Sequence, residues 1–98
     1  MKRPVRFTAA ADLELNEAAD YYDQESAGLG GAFLDAVEHA VVQLAEYPES
    51  AVTLRDAVRK QLLVKFPYAL LYSVRDDGVR ILAVAHQMRR PFYWRGRE

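Results

Sequence analysis

The sequence has no cysteine, two histidines (His39 and His86) and one tryptophan, Trp94. Without thiols, disulfide staples and thiol chemistry are excluded, and a reducing cytoplasmic setting is favoured. Two histidines without cysteine fall short of a structural zinc site, so neither a metal nor a cofactor is expected. No apolar run approaches the length of a bilayer span, so no membrane partner is expected. The basic opening, Met1-Lys2-Arg3-Pro4-Val5-Arg6, is not followed by a long apolar stretch and does not look like a secretory signal. Repeats, linkers and low-complexity segments are also missing. With 98 residues, about half of them apolar, the chain is expected to form one domain, 1–98, with one modest hydrophobic core.

The charge is unevenly distributed. Residues 1–49 hold three Lys/Arg against ten Asp/Glu, a net −7, while residues 50–98 hold ten Lys/Arg against four Asp/Glu, a net +6. The near-neutral total of −1 conceals this split. It implies an acidic region and an anion-seeking region in one chain. The basic half ends in His86-Gln87-Met88-Arg89-Arg90-Pro91-Phe92-Tyr93-Trp94-Arg95-Gly96-Arg97, where cations alternate with aromatics. Such a run suits an acidic protein or a phosphate-rich partner, since guanidinium pairs with oxyanions and rings supply stacking area.

Periodicity gives an order of elements. Residues 4–8 make a short strand, and Thr8 stands where a helix N-cap would, with Asp12 and Glu14 in or near the first turn. Ala11, Leu15, Ala18, Ala19 and Tyr22 recur at helical spacing, which predicts a helix over 9–25. Its acidic side, Asp12, Glu14, Glu17 and Asp20, reads as a solvated face. Gly28, Gly30 and Gly31 break the helix, and Phe33, Val37, Ala40, Val41 and Leu44 define a second one over 32–47, closed by Pro48. Three strands follow at 58–64, 69–75 and 79–86. Phe66-Pro67-Tyr68 shapes the first bend and Asp76-Asp77-Gly78 the second. Residues 79–85 are apolar on both parities over most of their length, as in a central strand covered on both faces, or in one covered by the helices on one face and by a partner on the other. The expected fold is α+β, in the order β-α-α-β-β-β. An N-terminal strand leads into a two-helix antiparallel hairpin packed on a mostly antiparallel sheet.

Several signatures in this order resemble a known family. They are Ala11-Asp12-Leu13, Tyr21-Tyr22, Gly28-Leu29-Gly30 with Phe33, Val37-Glu38, Pro48, Arg59, Phe66-Pro67-Tyr68 and Tyr72. The strand Ile81-Leu82-Ala83-Val84-Ala85-His86 continues them, followed by Arg89, Pro91 and Tyr93-Trp94. Together they resemble the RelE/ParE superfamily of bacterial type II toxins over nearly the whole chain, with the helical hairpin and the C-terminal ending closer to ParE-like members. The resemblance implies a growth-arresting toxin held in a tight complex by a cognate antitoxin, whose C-terminal segment covers an apolar groove and basic surface. The charge split is an independent reason to expect an acidic amphipathic partner.

The superfamily resemblance carries two activities. ParE-like members bind DNA gyrase and trap its cleaved DNA complex without bond-breaking of their own, whereas RelE-like members cut messenger RNA on the ribosome. For a gyrase contact the candidates are Arg59, His86, Arg89, Arg90, Tyr93 and Trp94. For the antitoxin they are Arg55, Arg59, Lys60, Tyr72 and Arg80. The ribonuclease alternative would use His86 as acid or base with Arg59 or Arg89 on the scissile phosphate. The lysine-rich pattern of RelE is not reproduced, because Lys60 and Lys65 are the only lysines of the second half. A third alternative is an inactive toxin that acts only in antitoxin binding and operon control. Trp94 is either a lid on the core or a partner anchor. Tyr21, Tyr22, Phe33 and Val37 are expected to support the core, and the outer face of the hairpin is a further candidate for antitoxin contact.

Overall fold

Thr8 closes a short strand, β1 (Val5–Phe7), and opens a helix, α1 (Ala9–Glu25), in the computed structural model, which describes residues 3–55 and 57–97. Its backbone is extended and its hydroxyl oxygen accepts the Ala11 N–H at 3.1 Å, so it is the N-cap that the sequence indicates. Ala11, Ala18 and Ala19 are buried, with Leu15 and Tyr22 half-buried along the same stripe. These small side chains let the second helix lie close.

That helix, α2 (Leu29–Glu46), starts three residues earlier than expected and takes Gly30 and Gly31 into its first turn. The penalty for glycine in a helix is only about 1 kcal/mol, and two contacts outweigh it. Asp23 of α1 accepts the Gly30 N–H at 2.8 Å, which caps the new helix and places a carboxylate at its positive end. Gly30 also presses against α1 so closely that a Cβ there would stand 2.5 Å from the Ala19 carbonyl oxygen. Gly28, at φ +86°, supplies the reversal between the helices.

The basic half forms β2 (Val52–Arg55), β3 (Val58–Leu62), β4 (Tyr68–Arg75) and β5 (Gly78–His86). All join β1 in a single sheet of order β1-β5-β4-β3-β2. β1 runs parallel to β5 and every other pairing is antiparallel. The chain is therefore α+β, with two helices packed on the sheet, as the sequence indicates. β2 is an addition to the expected order. Four residues long and at the sheet edge, it is too short and too exposed to show a strong apolar pattern.

Tight packing surrounds β5. Its register shifts by one residue opposite Leu71 and Tyr72, so that Ile81 and Val84 face the helices while Leu82 and Ala83 face the other way. On the helix side, Phe33, Leu44, Leu70, Tyr72 and Ile81 form the main core. The rings of Tyr22, Phe33, Phe66 and Tyr68 meet there with centroids 5.0–6.1 Å apart. On the opposite face Val58, Ala69, Leu71, Leu82 and Ala83 gather under Trp94. Among the described residues no helix is long and apolar enough to cross a membrane.

The two glycines of the first turn of α2 should behave in opposite ways. Gly30→Ala should destabilise the fold by roughly 1–3 kcal/mol through overpacking against α1. Gly31→Ala, where an added methyl meets open space, should be neutral or stabilising by up to about 1 kcal/mol. Urea unfolding followed by circular dichroism measures both; a stabilised Gly30→Ala would contradict the packing argument.

Candidate functional site

After β5 the chain folds back across the open face of the sheet in a series of turns. Gln87 N–H donates to the Pro67 carbonyl at 2.9 Å and Arg89 N–H to the His86 carbonyl at 3.0 Å. Further turn bonds run from Tyr93 to Arg90, from Arg95 to Phe92 and from Arg97 to Trp94. Trp94 lands on Leu71, Leu82 and Ala83 and is only 3% exposed. Burying a residue of this size makes it one of the largest apolar contributions on that face.

The segment covers only part of the open face. Between it and the β2–β3 edge lies a groove of about 500 Å³. Leu71, Ala69 and Ala85 lie along its floor, Leu54 and Leu62 along one side, and Pro91, Phe92 and Trp94 along the other. Leu62 is 64% exposed and Leu54 40%, so apolar surface meets solvent here. Lys60, Arg89 and Arg90 line the same groove, and all three are exposed. His86 closes one end: its Nδ1 accepts the Met88 N–H at 3.0 Å, leaving the ring proton on Nε2 in the neutral form, and its ring meets Tyr68 edge-on at 5.0 Å.

A second arrangement fastens the segment from behind. β1 ends at Phe7, so among the described residues β5 beyond Ile81 has no strand on that side. Glu14 of α1 fills the place of the missing partner by accepting the Val84 N–H at 3.0 Å. The same carboxylate accepts the Tyr93 hydroxyl at 2.9 Å and forms a two-pronged pair with Arg97 at 2.9 and 3.2 Å. Arg97 also donates to the Leu82 carbonyl at 3.1 Å. Arg89 and Arg97 stand over the Tyr93 ring, 4.0 and 5.0 Å from its centroid. Burial and the bond to Glu14 push the Tyr93 phenol up to about 12, and the Glu14 hydrogen bond holds Arg97 charged beyond the ordinary arginine value. Glu14 is thus not part of the solvated face expected for α1; Asp12, Glu17 and Asp20 are exposed as expected.

The structure sorts the other candidates. His86, Arg89, Arg90 and Lys60 come together in the groove, and Tyr93 and Trp94 form its wall. Arg59 does not join them. Cross-strand neighbour of the inward-facing Tyr72, it sends its guanidinium to the Glu49 and Ala51 carbonyls at 3.0 and 2.9 Å. Tyr72, expected at an antitoxin surface, is fully buried and donates to the Pro48 carbonyl at 2.7 Å. Arg59 and Tyr72 therefore hold the α2–β2 connection. Burial raises the Tyr72 phenol, as it does those of Tyr22 and Tyr68. Arg80 lies six residues along β5 from His86, roughly 20 Å away, in a small cleft with Arg6 and Arg75. The side chain of Arg55 lies outside the described residues. Glu14 and Arg97 were missed because no local pattern joins residues 83 positions apart. Among the described residues no cluster of His, Asp and Glu could hold a metal ion.

A family model described as the ParE toxin of the type II toxin–antitoxin system parDE matches residues 5–91. The chain belongs to the ParE toxin family. Among solved structures it is similar to a chain of the chromosomal ParDE toxin–antitoxin system from P. aeruginosa, at 19% identity and a TM-score of 0.67. That likeness covers 87% of this chain and 96% of the other, and it concerns the fold. No curated protein matches the chain. The ParE match ends at Pro91, so Tyr93, Trp94 and Arg97 lie beyond it, while Glu14, which anchors Tyr93 and Arg97, lies within.

The Tyr93–Glu14 bond has a pH signature. A phenol raised in the folded state stabilises the fold while it is protonated in both states; that contribution is complete below about pH 10 and is lost as pH climbs through about 12. Tyr93→Phe should therefore cost roughly 1–2 kcal/mol at pH 8, and the gap to the parent chain should shrink by pH 11. Urea unfolding at the two pH values measures it; a gap that widens with pH would refute the assignment.

Proposed function

We propose that the protein is the toxin of a toxin–antitoxin pair, which arrests growth by binding DNA gyrase and trapping its cleaved DNA complex. One observation carries the reading: an exposed groove with an apolar floor and cationic flanks, on the sheet face opposite the helices. Such a surface is complementary to an acidic amphipathic segment, the chemistry expected of a cognate antitoxin. The ParE family of the chain and the name of the P. aeruginosa system support the same assignment. Antitoxin bound in the groove shields Arg89 and Arg90; released, these cations are free to meet gyrase in the cytoplasm.

The groove favours binding over phosphodiester cleavage. Cleavage through a 2′-hydroxyl needs one group to take a proton and another to give one. The groove offers His86, whose Nδ1 is occupied by the Met88 N–H, and among the described residues none of its lining is a carboxylate. The Tyr93 hydroxyl is committed to Glu14, and Arg59, a phosphate-holding candidate, is committed to backbone carbonyls. Lys60, Arg89 and Arg90 serve as contact cations in this reading.

The deciding experiment is a gyrase supercoiling and DNA-cleavage assay with purified, antitoxin-free protein. Lost supercoiling with accumulated double-strand breaks is the expected result; no effect at a dose that arrests growth would move the target to the ribosome. Arg89→Ala with Arg90→Ala should weaken inhibition roughly tenfold or more, the scale of losing charged anchors at an interface. His86→Ala should cost less than that, whereas ribonuclease chemistry would lose all cleavage. On the antitoxin side, Leu62→Asp should leave folding intact and weaken complex formation at least about tenfold by placing a carboxylate on the apolar wall. Calorimetric titration with the antitoxin checks this.

A further inference from the structure

Arg89 is exposed beside the groove, yet its guanidinium is not left to wander. It stands 4.0 Å from the centroid of the Tyr93 ring. That ring is half-buried, and its hydroxyl is tied at 2.9 Å to Glu14, a residue of α1 on the far side of β5 from the groove. Arg97 also stands over this ring, 5.0 Å from the same centroid and paired with the same carboxylate. The contacts form a line, Glu14 to Tyr93 to Arg89, from the helix layer to the groove. A long arginine loses considerable rotamer freedom when a partner fixes it, so a cation already held in place binds more tightly than a free one.

We propose that Glu14 is a positioning residue, which holds Arg89 toward the target through the Tyr93 ring and so sets the potency of the toxin. The inference rests on the proposed use of Arg89 as a gyrase contact. Glu14 also serves β5 directly by accepting the Val84 N–H, and that service is structural. The two roles are separable, because only positioning passes through Arg89.

A double-mutant cycle makes the separation. Glu14→Gln keeps an acceptor for Val84 but loses the charge that binds Arg97 and the Tyr93 hydroxyl. It should raise the concentration for half-inhibition of gyrase supercoiling roughly tenfold in the parent chain and by less than about twofold on an Arg89→Ala background, since coupled residues are not additive. Additive losses, full potency of Glu14→Gln, or full potency of Arg89→Ala would each overturn the proposal. The sole tryptophan reports whether the segment stays seated: Trp94 emission should remain blue and shielded from iodide in each variant used. If Glu14→Gln fails this check, Tyr93→Phe, which keeps the ring but cuts the bond to Glu14, replaces it in the cycle under the same criteria. If the parent chain leaves gyrase untouched, the cycle is scored by the inducer dose that arrests growth. Non-additivity there upholds the positioning role while the gyrase target falls, and additivity there overturns both.

Discussion

A strand that is apolar on both faces has to be covered twice, and β5 sets that requirement for the whole molecule. The bulge at Leu82 turns Ile81 and Val84 toward one side and Leu82 and Ala83 toward the other. The helical hairpin answers the first demand with Phe33, Val37 and Leu44, and the C-terminal segment answers the second with Trp94. The two covers are unequal. Helices shield their side thoroughly, whereas the returning segment is short and leaves the groove beside it. The candidate site is therefore the part of the second face that the chain does not cover for itself.

Polar chemistry follows from the same strand. Because β1 is three residues long, the outer edge of β5 would expose unpaired backbone groups beyond Ile81. Glu14, Thr8 and Arg97 take over from a strand, meeting the Val84 N–H and the Leu82 carbonyl with side-chain atoms. An acidic residue of the first half and a basic residue of the second meet here, so part of the charge split is spent inside the fold. The rest stays outside, with acidic side chains on the helices and basic ones along the groove.

How much of this was legible in the sequence depends on range. Thr8 as a cap, the alanine stripe of α1, the Phe33-to-Leu44 stripe of α2 and the Asp76-Asp77 turn are local patterns, and each appears where its spacing places it. The start of α2 was missed because local propensity counts against glycine, while the contact that favours it comes from Ala19 and Asp23 of another helix. Arg59 and Lys60 show a second limit: adjacent along β3, they point to opposite faces, and which face is open is decided only when the sheet is assembled. Tyr72 and Trp94 carry the same ambiguity, since large aromatics serve cores and interfaces equally well. Their place in the interior is a tertiary fact.

The pairing of β1 with β5 also bears on how the chain reaches this state. Val5 pairs with Val79, and Glu14 meets Arg97 across 83 positions, whereas the helical hairpin and the β4–β5 hairpin close over short loops. Loop-closure entropy puts the local units first and the distant ones last. On that ordering β5 would wait for β1 with one edge unpaired and its groove face open, the kind of species in which apolar strands find other chains. A partner able to sit on that face during synthesis would act as a folding companion before it acted as an inhibitor.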